Sequence, residues 1–326
     1  MKAIVYERYG PPDVLRLQEV DKPTPDENQV LVKVHAASIN AGDYFARGGK
    51  PFLFRFFTGG YLKPKNTRLG IDVAGQVEAV GENVKRFRPG DEVFGCRNGA
   101  FAEYVCAREG LLVLKPANIS YEQAAAVPWA ALVALQTIRY AGEIQPGQKV
   151  LIQGASGGVG TFAVQIAKAF GAEVTAVCST RNLDMARSIG ADHVIDYTRQ
   201  DFTRNPQRYD LILAINGYHS LFAYKRALNP QGIYVCGGGT LGQILQAMLF
   251  RSFVSRKGGK QMRLMGRAKV IQEDLVFLAE LLEEGKIVSV IDRSYPLGEI
   301  VEAFRYVENT HARGKVVITV EPDNKS

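Results

Sequence analysis

The sequence predicts a mixed α/β protein that combines a doubly wound parallel sheet with a curled, barrel-like β domain, and three observations predict it. Apolar runs at 149–153, 174–178, 193–197, 210–215 and 232–236 alternate with helical patterns, as in a parallel sheet covered on both faces. The first run leads into Gly154-Ala155-Ser156-Gly157-Gly158-Val159-Gly160, and apolar residues then recur at helical spacing through Val164, Ile166, Ala167 and Phe170. Ahead of these, residues up to Ile119 read as short strands punctuated by glycine and proline.

In order, Met1 to Tyr6 and the alternation from Leu15 to Val20 read as short antiparallel strands, followed by a turn at Lys22-Pro23-Thr24-Pro25. Residues 30–40 continue as a strand that delivers Asn40 to its end. A loop rich in Phe and Gly (52–60) precedes strands within 72–81 and 87–95. Ser120 supplies an N-cap hydroxyl ahead of an alanine-rich helix, and 130–140 is helical too. After the alternating region come helices at 272–285 and 298–309 and a closing strand at 315–320. The expected domains are 1–121 with 268–326, and 122–267 between them.

The glycine turn carries the chemistry. Glycine lets the backbone bend sharply and approach a pyrophosphate, and the next helix points free N–H groups and its positive dipole end at the phosphates. An ordinary glycine-rich turn is the alternative, and the flanking strand and helix favour a dinucleotide. An acidic residue usually ends the second strand and holds the ribose 2′-hydroxyl. Here Ser179-Thr180-Arg181-Asn182 stands in that place, and hydroxyls with a guanidinium suit a 2′-phosphate. NADPH is therefore expected over NADH; the competing reading of Arg181 is a solvated residue at a helix start.

The chain has 326 residues, 46% of them apolar and 22% charged, enough for a large core in two domains. Its net charge of +7 is mostly spread singly and no nucleic-acid module is visible, so no nucleic-acid partner is expected. The densest basic cluster, from Arg251 to Arg267, reads as a solvated loop, with attraction of an anionic cofactor or substrate as a second role. No long uncharged apolar run or cleavable leader is seen, and a cytoplasmic protein without a membrane partner is expected. Cys96, Cys106, Cys178 and Cys236 show neither disulfide nor zinc-ribbon spacing and read as buried thiols.

The segments Ala36-Ala37-Ser38-Ile39-Asn40, Pro89-Gly90-Asp91-Glu92-Val93, Gly154 to Gly160 and Arg313-Gly314-Lys315-Val316-Val317, in this order and spacing, resemble the medium-chain dehydrogenase/reductase superfamily over essentially the whole chain. The chain is most similar to the zinc-free quinone oxidoreductase branch, with its zeta-crystallin-like and reticulon-interacting subgroups. The resemblance implies a GroES-like catalytic domain built from both chain ends and an inserted Rossmann domain. It also implies NADPH in the cleft between them and a homodimer paired through the edge of the Rossmann sheet.

Zinc-dependent members carry a Cys ligand where this chain has Asn40 and a His-Glu pair where it has Ile71-Asp72. A catalytic zinc takes about three protein ligands, so no metal is expected there. The structural zinc lobe of those enzymes uses four cysteines, and the segment from Cys96 to Cys106 offers two. Without a Lewis acid the fitting acceptors are electrophiles: a quinone, or the double bond of an enal or enone. A specific lipid or acyl-thioester enone is an alternative, with Phe52, Phe54, Phe56, Phe57 and Tyr61 as a wall. An NADPH-binding protein with little turnover is another.

By resemblance, Asn40 lies beside the nicotinamide, its amide donating to the acceptor oxygen or anchoring the cofactor; the alternative is a turn-forming Asn at a strand end. Asp43 and Tyr44 follow as further catalytic candidates, although the tyrosine of zeta-crystallin-like members falls at Phe45 here. The remaining cofactor candidates are Gly154, Ser156, Gly157, Gly158 and Val159 at the diphosphate, Ser179 and Arg181 at the 2′-phosphate, and Tyr197 on the adenosine side. Asn216 and the Gly237-Gly238-Gly239 backbone are placed toward the nicotinamide, and His311 and Arg313 in a late segment returning to the cofactor.

Overall fold

The structure, a computed structural model, describes residues 1–49, 60–239, 241–255, 259–310 and 312–320. The chain divides into two compact units: Met1–Ala130 with Val270–Glu283 and Ser289–Ser326, and Ala131–Lys269 with Glu284–Val288. The N-terminal part of the first unit runs β1 (Lys2–Val5), β2 (Arg16–Glu19), β3 (Gln29–Ser38), α1 (Ala41–Gly48), β4 (Asp72–Val80), β5 (Glu92–Cys96), β6 (Tyr104–Arg108), β7 (Leu112–Leu114) and α2 (Tyr121–Ala125). The second unit runs α3 (Pro128–Ala141), β8 (Lys149–Gln153), α4 (Gly158–Ala169), β9 (Glu173–Cys178), α5 (Leu183–Ser188), β10 (His193–Asp196), β11 (Tyr209–Ala214), α6 (Leu221–Ala227), β12 (Leu228–Cys236), α7 (Leu241–Val254) and β13 (Gln261–Leu264). The chain then re-enters the first unit with α8 (Gln272–Glu283), β14 (Ile291–Pro296), α9 (Ile300–Asn309) and β15 (Lys315–Thr319).

The first unit is organised on β3, an apolar strand in which Val30, Val32 and Val34 are buried. One edge of β3 pairs with β4 along its length; the other pairs with β6 at Gln29 to Lys33 and with β15 at Ala36 to Ser38. Register shifts at Leu31/Val32 and Val34/Ala36 bend the strand, so the sheet β14-β15-β3-β4-β5-β7 curls as a GroES-like domain does. Helix α9 lays Ile300, Ala303 and Phe304 on the core beside Phe101 and Leu112. Residues 122–130 belong to this unit, so the boundary falls later than position 121: α2, capped reciprocally by Ser120 and Gln123, packs on β3, β4 and β15.

The second unit is a six-stranded parallel Rossmann sheet in the order β10-β9-β8-β11-β12-β13. Its inner strands β8, β9 and β11 are buried on both faces, which is why they read as continuous apolar runs. The segment from Arg251 to Arg267, read from the sequence as a solvated loop, instead contains the end of α7 and the edge strand β13 within its described part. The sequence of α7 hid it, because its glutamines and its apolar residues do not separate onto opposite faces, leaving a weak amphipathic period. All four cysteines are buried and unpaired, as expected.

Candidate functional site

In the second unit the strand order reverses between β8 and β11, the place where open parallel sheets bind ligands beyond their carboxyl ends. The glycine turn sits there. A Cβ on Gly154 (φ +85°) would lie 2.9 Å from Asn216 Cβ, and one on Gly160 only 2.0 Å from Gly154 O. These contacts make glycine obligatory and bring Asn216 against the turn. Helix α4 starts at Gly158 with Gly157 as N-cap, no side-chain cap and no acidic residue in its first turn. The first-turn amides, Val159 included, therefore have no intrahelical acceptor and suit an anion, with half-buried Ser156 alongside. Gln153 Nε2, buried directly ahead of the turn, has no partner among the described residues.

The three glycines after β12 are packed backbone. A Cβ on Gly238 would lie 2.5 Å from Ile215 O, and Gly239 (φ +129°) bridges Gly217 beyond β11. On the other side of β8, Ser179 and exposed Arg181 follow β9 as expected. A carboxylate that the sequence reading missed stands next to them: Asp196, last residue of β10, pairs in register with Cys178 of β9. Its Oδ2 accepts from the Thr180 hydroxyl, and its Oδ1 accepts from Thr198 N at 3.0 Å and Thr198 Oγ1 at 2.7 Å. The Thr180 bond, with those from Thr198, holds its pKa below the ordinary carboxylate value, and Arg199 Nε lies 3.6 Å away. The signal was available, because β10 neighbours β9 in this fold and ends beside it. Tyr197 is exposed and its ring meets Tyr218 edge-on at 6.2 Å; Tyr218, also missed, overlies His219 at 4.3 Å.

The first unit contributes a buried polar cluster where β3, β4 and β15 end together. Register places Ser38 opposite both Val317 and Asp72, so Lys315, Asn40 and Asp72 converge although Lys315 is 243 positions from Asp72. Lys315 Nζ donates to Asn40 Oδ1 at 2.6 Å, Ile39 O at 3.1 Å and Asp72 Oδ2 at 3.2 Å. Asp72 Oδ2 also accepts from Ser38 Oγ at 2.7 Å and Asn40 Nδ2 at 2.8 Å, while its Oδ1 accepts from Trp129 N at 2.8 Å. The ammonium and the carboxylate fix which way the Asn40 amide faces. Both its hydrogens are used, the second on Ser38 O at 3.4 Å, so no N–H is left over for an acceptor oxygen. Sequence reasoning met Lys315 only within a family segment and Asp72 only at a zinc-ligand position, and missed their pairing with Asn40; the signal was a lone lysine opening an apolar strand.

Asp43 is fully buried and belongs to the start of α1. Its Oδ2 accepts from Asn40 N at 2.8 Å and its Oδ1 from Gly70 N at 3.0 Å, tying a distant loop to the helix. Burial pushes its pKa up to about 7. Tyr44 is half-buried against the core, its hydroxyl pKa raised by burial and then by Glu308. Arg313 is exposed, and its backbone N–H donates to Asp292 Oδ2 at 3.0 Å. His311, Phe52, Phe54, Phe56 and Phe57 lie outside the described residues, and Tyr61 is exposed.

Two family models match the chain: an alcohol dehydrogenase GroES-like domain over residues 26–117, and a zinc-binding dehydrogenase domain over 189–318. The 2-methylene-furan-3-one reductase of Solanum lycopersicum is 37% identical, the match covering 98% of this chain and 79% of that protein. The NADPH-dependent alkenal/one oxidoreductase of Arabidopsis thaliana chloroplasts is 34% identical over 98% and 79%. Among solved structures, the quinone oxidoreductase of Coxiella burnetii superposes with a TM-score of 0.84 at 32% identity, covering 98% of this chain and 99% of that one. A curled β unit assembled from both chain ends, a parallel unit inserted between them and end-to-end similarity to these reductases lead to one conclusion: the chain belongs to the quinone oxidoreductase branch of the medium-chain dehydrogenase/reductase superfamily.

Proposed function

We propose that the protein is an NADPH-dependent, zinc-independent oxidoreductase that passes a hydride to a quinone or to the double bond of an α,β-unsaturated carbonyl. Relatives named as oxidoreductases of such acceptors support an oxidoreductase that uses a nicotinamide cofactor and a small-molecule acceptor. The observation that carries the finer reading is the Lys315 ammonium seated between Asn40 and Asp72. At the positions where zinc-dependent relatives place ligands, this chain offers an amide, the alkyl side chain of Ile71 and a carboxylate already paired with a cation. A divalent ion would face that ammonium at close range, and this donor set does not fit it.

The residues of the second unit fit a dinucleotide. The amides of Gly158 and Val159, aided by the α4 dipole, would hold the diphosphate over the crowded Gly154–Gly160 contact. Arg181 with Ser179 would hold a 2′-phosphate. Asp196 opposes such a charge less than a free carboxylate, because two threonines and Arg199 already engage it. Bound there, NADPH supplies the hydride. Lys315, Asp72 and Asn40 keep the end of β3 and the start of α1 in one arrangement, a positioning role. With the Asn40 amide occupied and Asp43 bonded to two backbone amides, water is left as the proton source for the product.

A homodimer paired through the β13 edge belongs to the same reading; light scattering that returns a monomer mass would refute that part. The reaction is tested by the loss of NADPH absorbance against a panel of quinones, enals and enones, with NADH in parallel. Acceptor-dependent oxidation favouring NADPH is expected. Tight NADPH binding with no oxidation across the panel would leave a binding protein instead.

A further inference from the structure

Tyr224, in the middle of α6, is fully buried, and its hydroxyl uses every hydrogen-bonding position it has. It donates to Gln153 Oε1 and accepts from Tyr218 N at 3.3 Å and His219 N at 3.4 Å. Because the hydroxyl proton goes to the amide oxygen, the orientation of the Gln153 side chain is fixed, and its Nε2 is the atom left unpartnered. The ring is held as firmly as the hydroxyl. It lies on Tyr234 of β12 with centroids 4.4 Å apart and tilts against Phe202 at 6.1 Å, so the oxygen is delivered to one place. The chain passes close over that oxygen, since a Cβ on Gly217 would lie 3.1 Å from it.

The hydroxyl joins the two segments that form the dinucleotide crevice. Gln153 is the last residue of β8, directly ahead of the glycine turn. Tyr218 and His219 belong to the segment that leaves β11 and sets Asn216 against Gly154. The pairing of β8 with β11 runs out at Gln153 O, which accepts from Ile215 N at 3.1 Å and Asn216 N at 3.3 Å. The Tyr224 oxygen then takes the amides at 218 and 219, and so extends the hold of β8 on this segment by a side chain.

We infer that Tyr224 is a positioning residue for the dinucleotide, its hydroxyl holding residues 216–219 on the end of β8 and thereby keeping the glycine turn in its binding shape. This rests on the dinucleotide site of the proposed function. Fully buried, Tyr224 acts through Gln153 and the two amides and not by touching the cofactor. Without the hydroxyl, two amides and the Gln153 oxygen lose a partner together, and the segment is free to leave this arrangement. If the competent arrangement falls to about a tenth of the population, the apparent Kd rises about tenfold. The effect falls on the diphosphate half that both cofactors share, so NADPH and NADH should weaken alike.

Tyr224→Phe removes one oxygen and keeps the ring packing. Fluorescence titration and steady-state kinetics are expected to show Kd and KM for NADPH and for NADH raised about tenfold with kcat unchanged, the mark of lost binding and not of lost chemistry. Tyr209→Phe, the same change at a buried tyrosine at the opposite end of β11, should leave both constants unchanged. Gln153→Leu breaks the same link from its other end and should give the same rise even where Tyr224→Phe folds poorly. The double variant should add little to either single one. Wild type that binds neither dinucleotide would overturn the proposed function and this role with it. Wild-type binding with unchanged constants in Tyr224→Phe, an equal loss in Tyr209→Phe, or additive losses in the double variant would overturn this role alone.

Discussion

Replacing Lys315 by Met tests the buried cluster with a magnitude that the contacts set. The side chains of Lys315 and Asp72 are 3% and 0% exposed, so removing the ammonium strands a carboxylate out of water. Breaking one side of a buried ion pair costs about 3–5 kcal/mol. Asp72 keeps three donors, Ser38 Oγ, Asn40 Nδ2 and Trp129 N, which places its own loss at the lower end. Ile39 O and Asn40 Oδ1 each lose a charged donor at 3.1 and 2.6 Å, so the whole change should reach about 4 kcal/mol. Urea denaturation followed by circular dichroism measures it as a shift of midpoint at constant slope. Adding Asp72→Asn removes the stranded charge and should recover about half the loss. A loss below about 1 kcal/mol in the single variant, or no recovery in the double, would refute the claim that this pair is held buried and coupled.

On the proposed reading Arg181 engages only the 2′-phosphate, so Arg181→Glu should lower kcat/KM with NADPH by about tenfold to a hundredfold while leaving NADH nearly unchanged; paired kinetics with both cofactors check it. Gly160→Ala should abolish NADPH binding in a fluorescence titration, because its Cβ would lie 2.0 Å from Gly154 O and displace the turn. Asp43 has a folded-state pKa of about 7, above the ordinary carboxylate value, so the folded protein holds a proton there that the unfolded chain gives up. Its contribution is fully present below about pH 4 and is lost as pH rises through about 7. Asp43→Asn should flatten that decline in a series of denaturation midpoints, and an unchanged slope would show that Asp43 does not titrate in this window.

The parallel unit was legible because each of its signals is local. The glycine turn, the apolar strand before it and the alternation of strands with helices lie within a few dozen residues, and their steric reason, the contact of Gly160 with Gly154 O, lies inside the same turn. Asn40 was legible as a strand-end residue, but its partners were not. Lys315 and Asp72 reach it only through β15-β3-β4 pairing, across separations no periodicity reports. Asp196 stayed hidden for the same reason, since its approach to Ser179–Arg181 follows from strand adjacency and not from chain distance. Helix α7 was missed because its buried and its exposed sides each mix glutamine with apolar residues, Gln243 and Ala247 inside, Gln246 and Leu249 outside, leaving no contrast from which a face could be read.

The measurement that bears most directly on metal-free hydride transfer is quinone-dependent NADPH oxidation by protein dialysed against a strong chelator, with zinc content determined on the same sample. Full turnover with zinc far below one ion per chain is the predicted result. Activity that vanishes on dialysis and returns in proportion to added zinc would contradict the account and require a ligand set other than Asn40, Ile71 and Asp72.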